Sequence, residues 1–218
     1  MESTGTGRTG SDKLGYLLSG ARFLAWDFDG VVADTEPLQQ AAFLEVLHRH
    51  GVEPPRDFFN DLIGTPEVQV WERLRTHYDI GATVEALQKE RHAIYVDLTE
   101  SNLRPAWYVQ PILESTSRAG TPNYVVSSGS YRNVGRLLDD LGLLTSFSRV
   151  FCDGSPDIEG SFPGKRAALA ALGSGGVLID DHLVWLRMAR SEFGLNTIGV
   201  RHSLNHLTAA DADLLLTL

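Results

Sequence analysis

From Arg22 onward, short apolar runs that close on small or acidic residues alternate with stretches of helical period, and a single long interval breaks the alternation. Candidate strands are Arg22-Phe23-Leu24-Ala25-Trp26, Tyr124-Val125-Val126, Arg149-Val150-Phe151, Gly176-Val177-Leu178-Ile179 and Thr197-Ile198-Gly199-Val200, with Leu214-Leu215-Leu216 completing the set. Between them lie helical patterns such as Val134, Leu137, Leu138 and Leu141, and an Ala/Leu stretch from about Lys165 to Leu172. Strands that alternate with helices predict an α/β fold, a mostly parallel Rossmann-like sheet covered on both faces.

A strand-helix-strand unit takes about 30 residues, yet roughly a hundred separate the first strand end from the second. The intervening chain has helical period throughout. Leu38, Ala42 and Val46 with Phe43 and Leu47 form one apolar stripe, Trp71, Leu74 and Tyr78 a second, and Leu87, Ile94, Tyr95 and Leu98 a third. Gly51 with Pro54-Pro55, then Gly64 and Pro66, punctuate the stretch. The expected organisation is a disordered tail over residues 1–20, an α/β core from 21–33 and 104–218, and a helical module inserted at 34–103. The tail expectation rests on its Gly/Ser/Thr-rich start, which has no apolar signal-peptide core.

Composition narrows the partners. Twenty-eight acidic residues against 19 basic ones give a net charge of −9, which disfavours nucleic acid and anionic membranes. The single cysteine, Cys152, cannot form an intramolecular disulfide and suits a reducing cytosol, so a cytoplasmic location is expected. No apolar stretch approaches the roughly 20 residues of a membrane span.

The chemistry-bearing residues fall where strands end, which is where ligands bind in open α/β sheets. Trp26-Asp27-Phe28-Asp29-Gly30-Val31-Val32-Ala33-Asp34-Thr35-Glu36 follows the first strand. Residues two apart in extended chain project to one side, so Asp27 and Asp29 repel unless a cation offsets them. As isolated residues they could equally be turn formers or helix caps. Ser127-Ser128-Gly129-Ser130 follows the second strand and offers either a phosphate cradle, a hydroxyl with backbone N–H groups, or a plain helix cap. Lys165 starts a helix beside Arg166, and Asp180-Asp181 ends the fourth candidate strand.

The eleven-residue string resembles the first motif of the haloacid dehalogenase superfamily, in the subgroup of small-molecule phosphatases and β-phosphoglucomutase. The resemblance runs from about Phe23 to Val200. It implies that 21–33 and 104–218 form a Rossmann-like catalytic core and that the insertion at 34–103 is its α-helical cap domain, in a Mg²⁺-dependent phosphatase acting on a small phosphorylated metabolite through an aspartyl-phosphate. Asp27 would be the nucleophile and Asp29 the acid and base. Ser127, Ser128, Gly129 and Lys165 would bind the phosphate. Magnesium would be held by Asp27, by Asp29 through its carbonyl, and by Asp181, with Asp180 as direct or water-mediated support. An acid at position 29 favours phosphate over halide chemistry.

The chain departs from the subgroup pattern at three positions and from the mutase pattern at two more. Arg166 follows Lys165 where proline is usual and competes with it for the phosphate. His182 and Trp185 stand where a small hydroxyl residue and a glycine are expected, and His182 either tunes a substrate phosphate or caps the turn. Ile63 and Glu67 occupy positions where the mutase pattern has lysine and arginine, and a negative Glu67 would oppose a second phosphate. Arg91 is one of several arginines that could contact substrate. A phosphosugar mutase and a noncatalytic binding protein are the alternatives to a phosphatase.

Overall fold

A computed structural model describes residues 10–55, 58 and 66–218. The chain divides into two compact units, one of Arg104–Leu218 with the chain up to Ala33, the other of Asp34–Leu103.

The first unit carries six parallel strands: β1 (Leu24–Trp26), β2 (Asn123–Ser130), β3 (Arg149–Asp153), β4 (Val177–Asp180), β5 (Asn196–Arg201) and β6 (Leu214–Thr217), in the order β3-β2-β1-β4-β5-β6. Every candidate strand of the sequence is found. The fold is the expected Rossmann-like α/β arrangement. β1 is fully buried, as a central parallel strand must be when helices cover both faces. Its one polar group is satisfied internally: Trp26 Nε1–H donates to Asn123 Oδ1 at 3.0 Å, and Asn123 Nδ2 donates to Thr116 at 2.8 Å. At Gly176, before β4, an added Cβ would stand 2.4 Å from the Phe23 ring, so only glycine lets that ring lie against the backbone.

Five helices of this unit are α1 (Gly10–Ser19), α5 (Val109–Ala119), α6 (Tyr131–Asp140), α7 (Lys165–Leu172) and α8 (Leu183–Phe193). Helix α1 corrects the expectation of a disordered tail over its residues. Leu17 is buried, Leu14 and Leu18 are half-buried at helical spacing, and the helix packs at β6. The abundant small polar residues before it conceal that short stripe. Residues 1–9 lie outside the described residues.

Trp26 lies opposite Val125 on β2 and Ile179 on β4, so Asp27, Ser127 and Asp180-Asp181 leave the sheet along one edge. This edge is the switch point of the topology, where β1 is flanked by β2 on one side and β4 on the other. After β1 the backbone turns tightly. Gly30 has φ of 67°, Gly30 N–H donates to Ala33 O, and Val32 N–H donates to Phe28 O. The chain re-enters the unit beside this turn, where Ala106 N–H meets Val32 O at 2.9 Å and the buried Tyr108 hydroxyl donates to Val31 O at 2.7 Å. Trp107 remains 66% exposed, with its indole N–H on Thr217 O.

The second unit contains α2 (Glu36–Arg49), α3 (Glu67–Tyr78) and α4 (Val84–Asn102), with α2 and α3 both packed on α4. Pro37 sits in the first turn of α2, where a missing N–H costs nothing. Thr83 caps α4 by accepting from Ala86 N–H. Ala42, Val46, Leu47, Trp71, Leu74, Leu87, Ile94 and Tyr95, all from the three sequence stripes, are buried, and Phe43 stacks on Trp71 with ring centroids 4.7 Å apart.

Glu67 does not present an open negative charge. Arg91 Nε and Nη2 donate to its two oxygens at 2.7 and 3.2 Å, and Trp71 Nε1–H adds 3.0 Å. Arg91 also donates to Gln39 and lies over the Phe43 ring, so its guanidinium is committed inside this unit. The electrostatic objection to a second phosphate therefore loses its basis. Ile63 lies outside the described residues. Among the described residues no helix is long and apolar enough to cross a membrane.

Candidate active site

Burial and charge meet at the carboxyl edge of β1 and β4. Lys165, first residue of α7, is 3% exposed, and its Nζ lies 3.0 Å from Asp27 Oδ2 and 2.7 Å from Asp180 Oδ2. Arg166 points elsewhere: it is exposed and pairs with Glu192 at 2.7 Å. Of the two neighbouring cations, the fold brings only Lys165 to the acidic group.

Asp27 is held at both oxygens, since Phe28 N–H donates to Oδ1 at 2.9 Å while Lys165 faces Oδ2. Asp180 is fully buried, and His182 N–H donates to its Oδ1 at 2.8 Å. Asp181, half-buried, completes the cluster. Carboxylate oxygens of Asp27, Asp180 and Asp181 lie within 4.8 Å of one another. One ammonium cannot neutralise three carboxylates. Burial pushes Asp180 up to about 7, with Lys165 opposing the rise and Asp27 and Asp181 adding to it. Asp27 is raised for the same first reason, despite Lys165. Burial alone would lower Lys165, but Asp27 and Asp180 outweigh it and hold the ammonium well above its ordinary value.

Three hard oxygen donors around excess negative charge form a set that could hold a metal ion of the magnesium kind. The Asp29 side chain does not belong to this set. It lies toward the end of β2, where a Cβ on Gly129 would stand 3.9 Å from Asp29 Oδ2 and 3.3 Å from Ser127 Oγ. Ser127 is buried and Ser128 exposed, and Gly129 N–H donates to Ser127 Oγ at 3.0 Å. The edge thus collects Asp27, Asp29, Ser127, Gly129, Lys165, Asp180 and Asp181.

Two residues that depart from the sequence pattern now have locations. His182 is exposed and caps α8, its Nδ1 accepting from Val184 N–H. Trp185 turns its ring toward Lys165, with Nζ 5.4 Å from the ring centroid, a cation–π contact against a buried ammonium. One residue had no signal in the sequence. His202, after β5, reaches back to Asp181, Nε2 to Oδ2 at 2.8 Å. Nothing in its spacing to the acidic pair suggests this, because the path of the loop after β5 sets the contact.

Residues 24–178 match the model of the haloacid dehalogenase-like hydrolase family. The chain belongs to this family. No curated protein matches the sequence. Solved structures of the same fold include a candidate β-phosphoglucomutase from Thermotoga maritima, 24% identical, TM-score 0.73, covering 89% of this chain and 93% of that one. A variant of CbbY from Rhodobacter sphaeroides in complex with xylulose-(1,5)bisphosphate is 22% identical, TM-score 0.70, covering 90% and 93%. A candidate phosphoglycolate phosphatase from Haemophilus somnus is 15% identical, TM-score 0.69, with the same coverage. At these identities the likeness establishes the haloacid dehalogenase fold, and family membership makes the chain hydrolase-like.

Proposed function

We propose that this haloacid dehalogenase-like protein is a Mg²⁺-dependent phosphatase that hydrolyses a small phosphate monoester, such as a sugar or other metabolite phosphate. The observation that carries the reading is the buried Lys165 ammonium between Asp27 and Asp180, at 3.0 and 2.7 Å, beside Asp181.

In this reading an Asp27 oxygen attacks phosphorus while the bond to the leaving oxygen breaks, giving an aspartyl-phosphate. Asp29 gives its proton to that leaving oxygen. Asp29, now a carboxylate, then takes a proton from water, whose oxygen attacks phosphorus and releases inorganic phosphate and Asp27. Lys165 steadies the Asp27 carboxylate and attracts the phosphoryl oxygens. Ser127, Ser128 and Gly129 supply donors to the same group, with Gly129 N–H exchanging its bond to Ser127 Oγ for one to phosphate. Asp27 and Asp181, with the Asp29 carbonyl and Asp180 in support, would hold Mg²⁺, whose charge when bound offsets the repulsion between carboxylate and phosphate.

A phosphosugar mutase is the second reading. It is favoured by the Arg91–Glu67 pair, which cancels the negative charge that would repel a second phosphate. The named solved relatives include both a candidate mutase and a candidate phosphatase. Phosphate release from a panel of phosphorylated metabolites, with Mg²⁺ or with chelator, separates the readings. Turnover that chelator and Asp27→Asn both abolish supports hydrolysis. Isomerisation that depends on added bisphosphate supports the mutase. Folded protein that neither binds Mg²⁺ nor turns over any compound leaves a noncatalytic binding protein.

A further inference from the structure

We propose that His202 is a positioning residue that fixes the Asp181 carboxylate for a divalent cation. This inference rests on the metal-dependent reading above and adds a residue from outside the four sequence motifs.

The tautomer follows from the loop. Leu204 N–H donates to His202 Nδ1 at 3.2 Å, and a backbone amide can only donate, so Nδ1 is the acceptor and the ring proton sits on Nε2. Nε2–H therefore donates to Asp181 Oδ2 at 2.8 Å. With Nε2 protonated and Nδ1 taken, His202 orients a ligand and is not one itself. The side chain is only 7% exposed and that of Asp181 18%, so water competes little for the bond.

A second residue ties down the same aspartate. Asn205 Nδ2 donates to the Asp181 carbonyl at 3.1 Å and to Val200 O at 2.8 Å, while Asn205 Oδ1 accepts from His202 N–H. The loop after β5 thus grips Asp181 through both its carboxylate and its backbone. Gly30 closes the third side: an added Cβ would stand 3.2 Å from both Asp181 Oδ2 and His202 Nε2, so the pair packs directly on the turn that follows Asp29. One hydrogen bond on Oδ2 fixes the carboxylate plane and leaves acceptor capacity for a cation.

The test is Mn²⁺ affinity, read by the electron paramagnetic resonance signal of free Mn²⁺ during titration of the full chain. His202→Asn keeps an acceptor for Leu204 N–H but cannot reach Asp181, whereas His202→Gln extends an N–H to where Nε2 stood. Loss of an outer partner of a metal ligand lowers affinity about 10–100-fold, so His202→Asn binds Mn²⁺ that much more weakly and His202→Gln recovers most of the wild-type affinity. His202→Ser, whose hydroxyl also accepts from an N–H two residues on, replaces the Asn variant if that one does not fold. Wild-type affinity in the Asn or Ser variant, or a Gln variant as weak as they are, overturns the role of His202. A wild-type chain with no saturable Mn²⁺ binding overturns the metal site itself, a separate and recognisable result.

Discussion

Replacing Lys165 with methionine removes one ammonium and leaves the buried Asp180 carboxylate beside the half-buried Asp27 carboxylate. With an effective dielectric near 20, an ion pair at 2.7–3.0 Å is worth about 6 kcal/mol before desolvation, and Lys165 makes two such contacts. Burying an ammonium costs several kcal/mol, and the variant recovers that cost. The expected net loss is about 3–5 kcal/mol, the range seen when one partner of a buried pair is removed. For a chain of this size that is a fall in Tm of about 6–20 °C. The sign with pH is also fixed. Asp180, already pushed up to about 7, loses the cation that opposed the rise, and Asp27 follows it. A carboxyl whose folded pKa exceeds its unfolded one contributes stability below the unfolded value and loses it as pH rises through the folded one. The Lys165→Met deficit therefore grows as pH rises from about 7, the wild-type value of Asp180, toward the higher value in the variant. Thermal unfolding in chelator, across that range, is the assay. Adding Asp180→Asn to the variant should restore part of the loss, since the amide still accepts from His182 N–H and carries no charge. A Lys165→Met chain as stable as wild type at pH 8, or a deficit that shrinks with pH, would refute the electrostatic account.

Gly176→Ala drives a methyl into the Phe23 ring and should cost about 1–3 kcal/mol, lowering Tm by about 2–12 °C; truncating the ring as well, in Phe23→Leu, should reduce the penalty. Cys152 is buried and its thiol is pushed up to about 11 by desolvation, so a thiol reagent should label it at pH 8 only after denaturation, and rapid native labelling would contradict its burial. The same raised thiol makes the fold lose stability as pH climbs from about 9 to 11, and Cys152→Ala should flatten that part of the pH profile.

Strand positions and the order of motifs were legible because burial on both faces writes near-continuous apolar runs, and the runs of β1, β2 and β4 end where the candidate site begins. The inserted helices declared themselves through stripes of the right period. Lys165 and Arg166 stood as competitors in the sequence; what separates them is the facing of one helix turn, which puts the first on the acidic cluster and the second on Glu192. Contacts between residues far apart in the chain left no local mark. Glu67 reads as an open charge until Arg91, 24 positions on, is seen to cover it, and His202 reads as one of seven histidines until the loop after β5 carries it to Asp181. Helix α1 was hidden for another reason: a stripe of three leucines among small polar residues is too short a signal to outweigh composition.

The strand order also sets a timetable. Of the six described strands, β1 is the first to leave the ribosome, yet its partners begin about 100 and about 150 residues later. Until β4 has emerged, Leu24-Ala25-Trp26 has no second ladder, and three of the most buried residues in the chain stay without their final cover. The stretch made in between, Asp34–Leu103, is one compact unit whose helices α2, α3 and α4 make contacts that close locally. During synthesis the inserted unit can therefore fold while the unit that holds Asp27 waits, and Asp27 and Lys165 meet only once the chain has been made past residue 165.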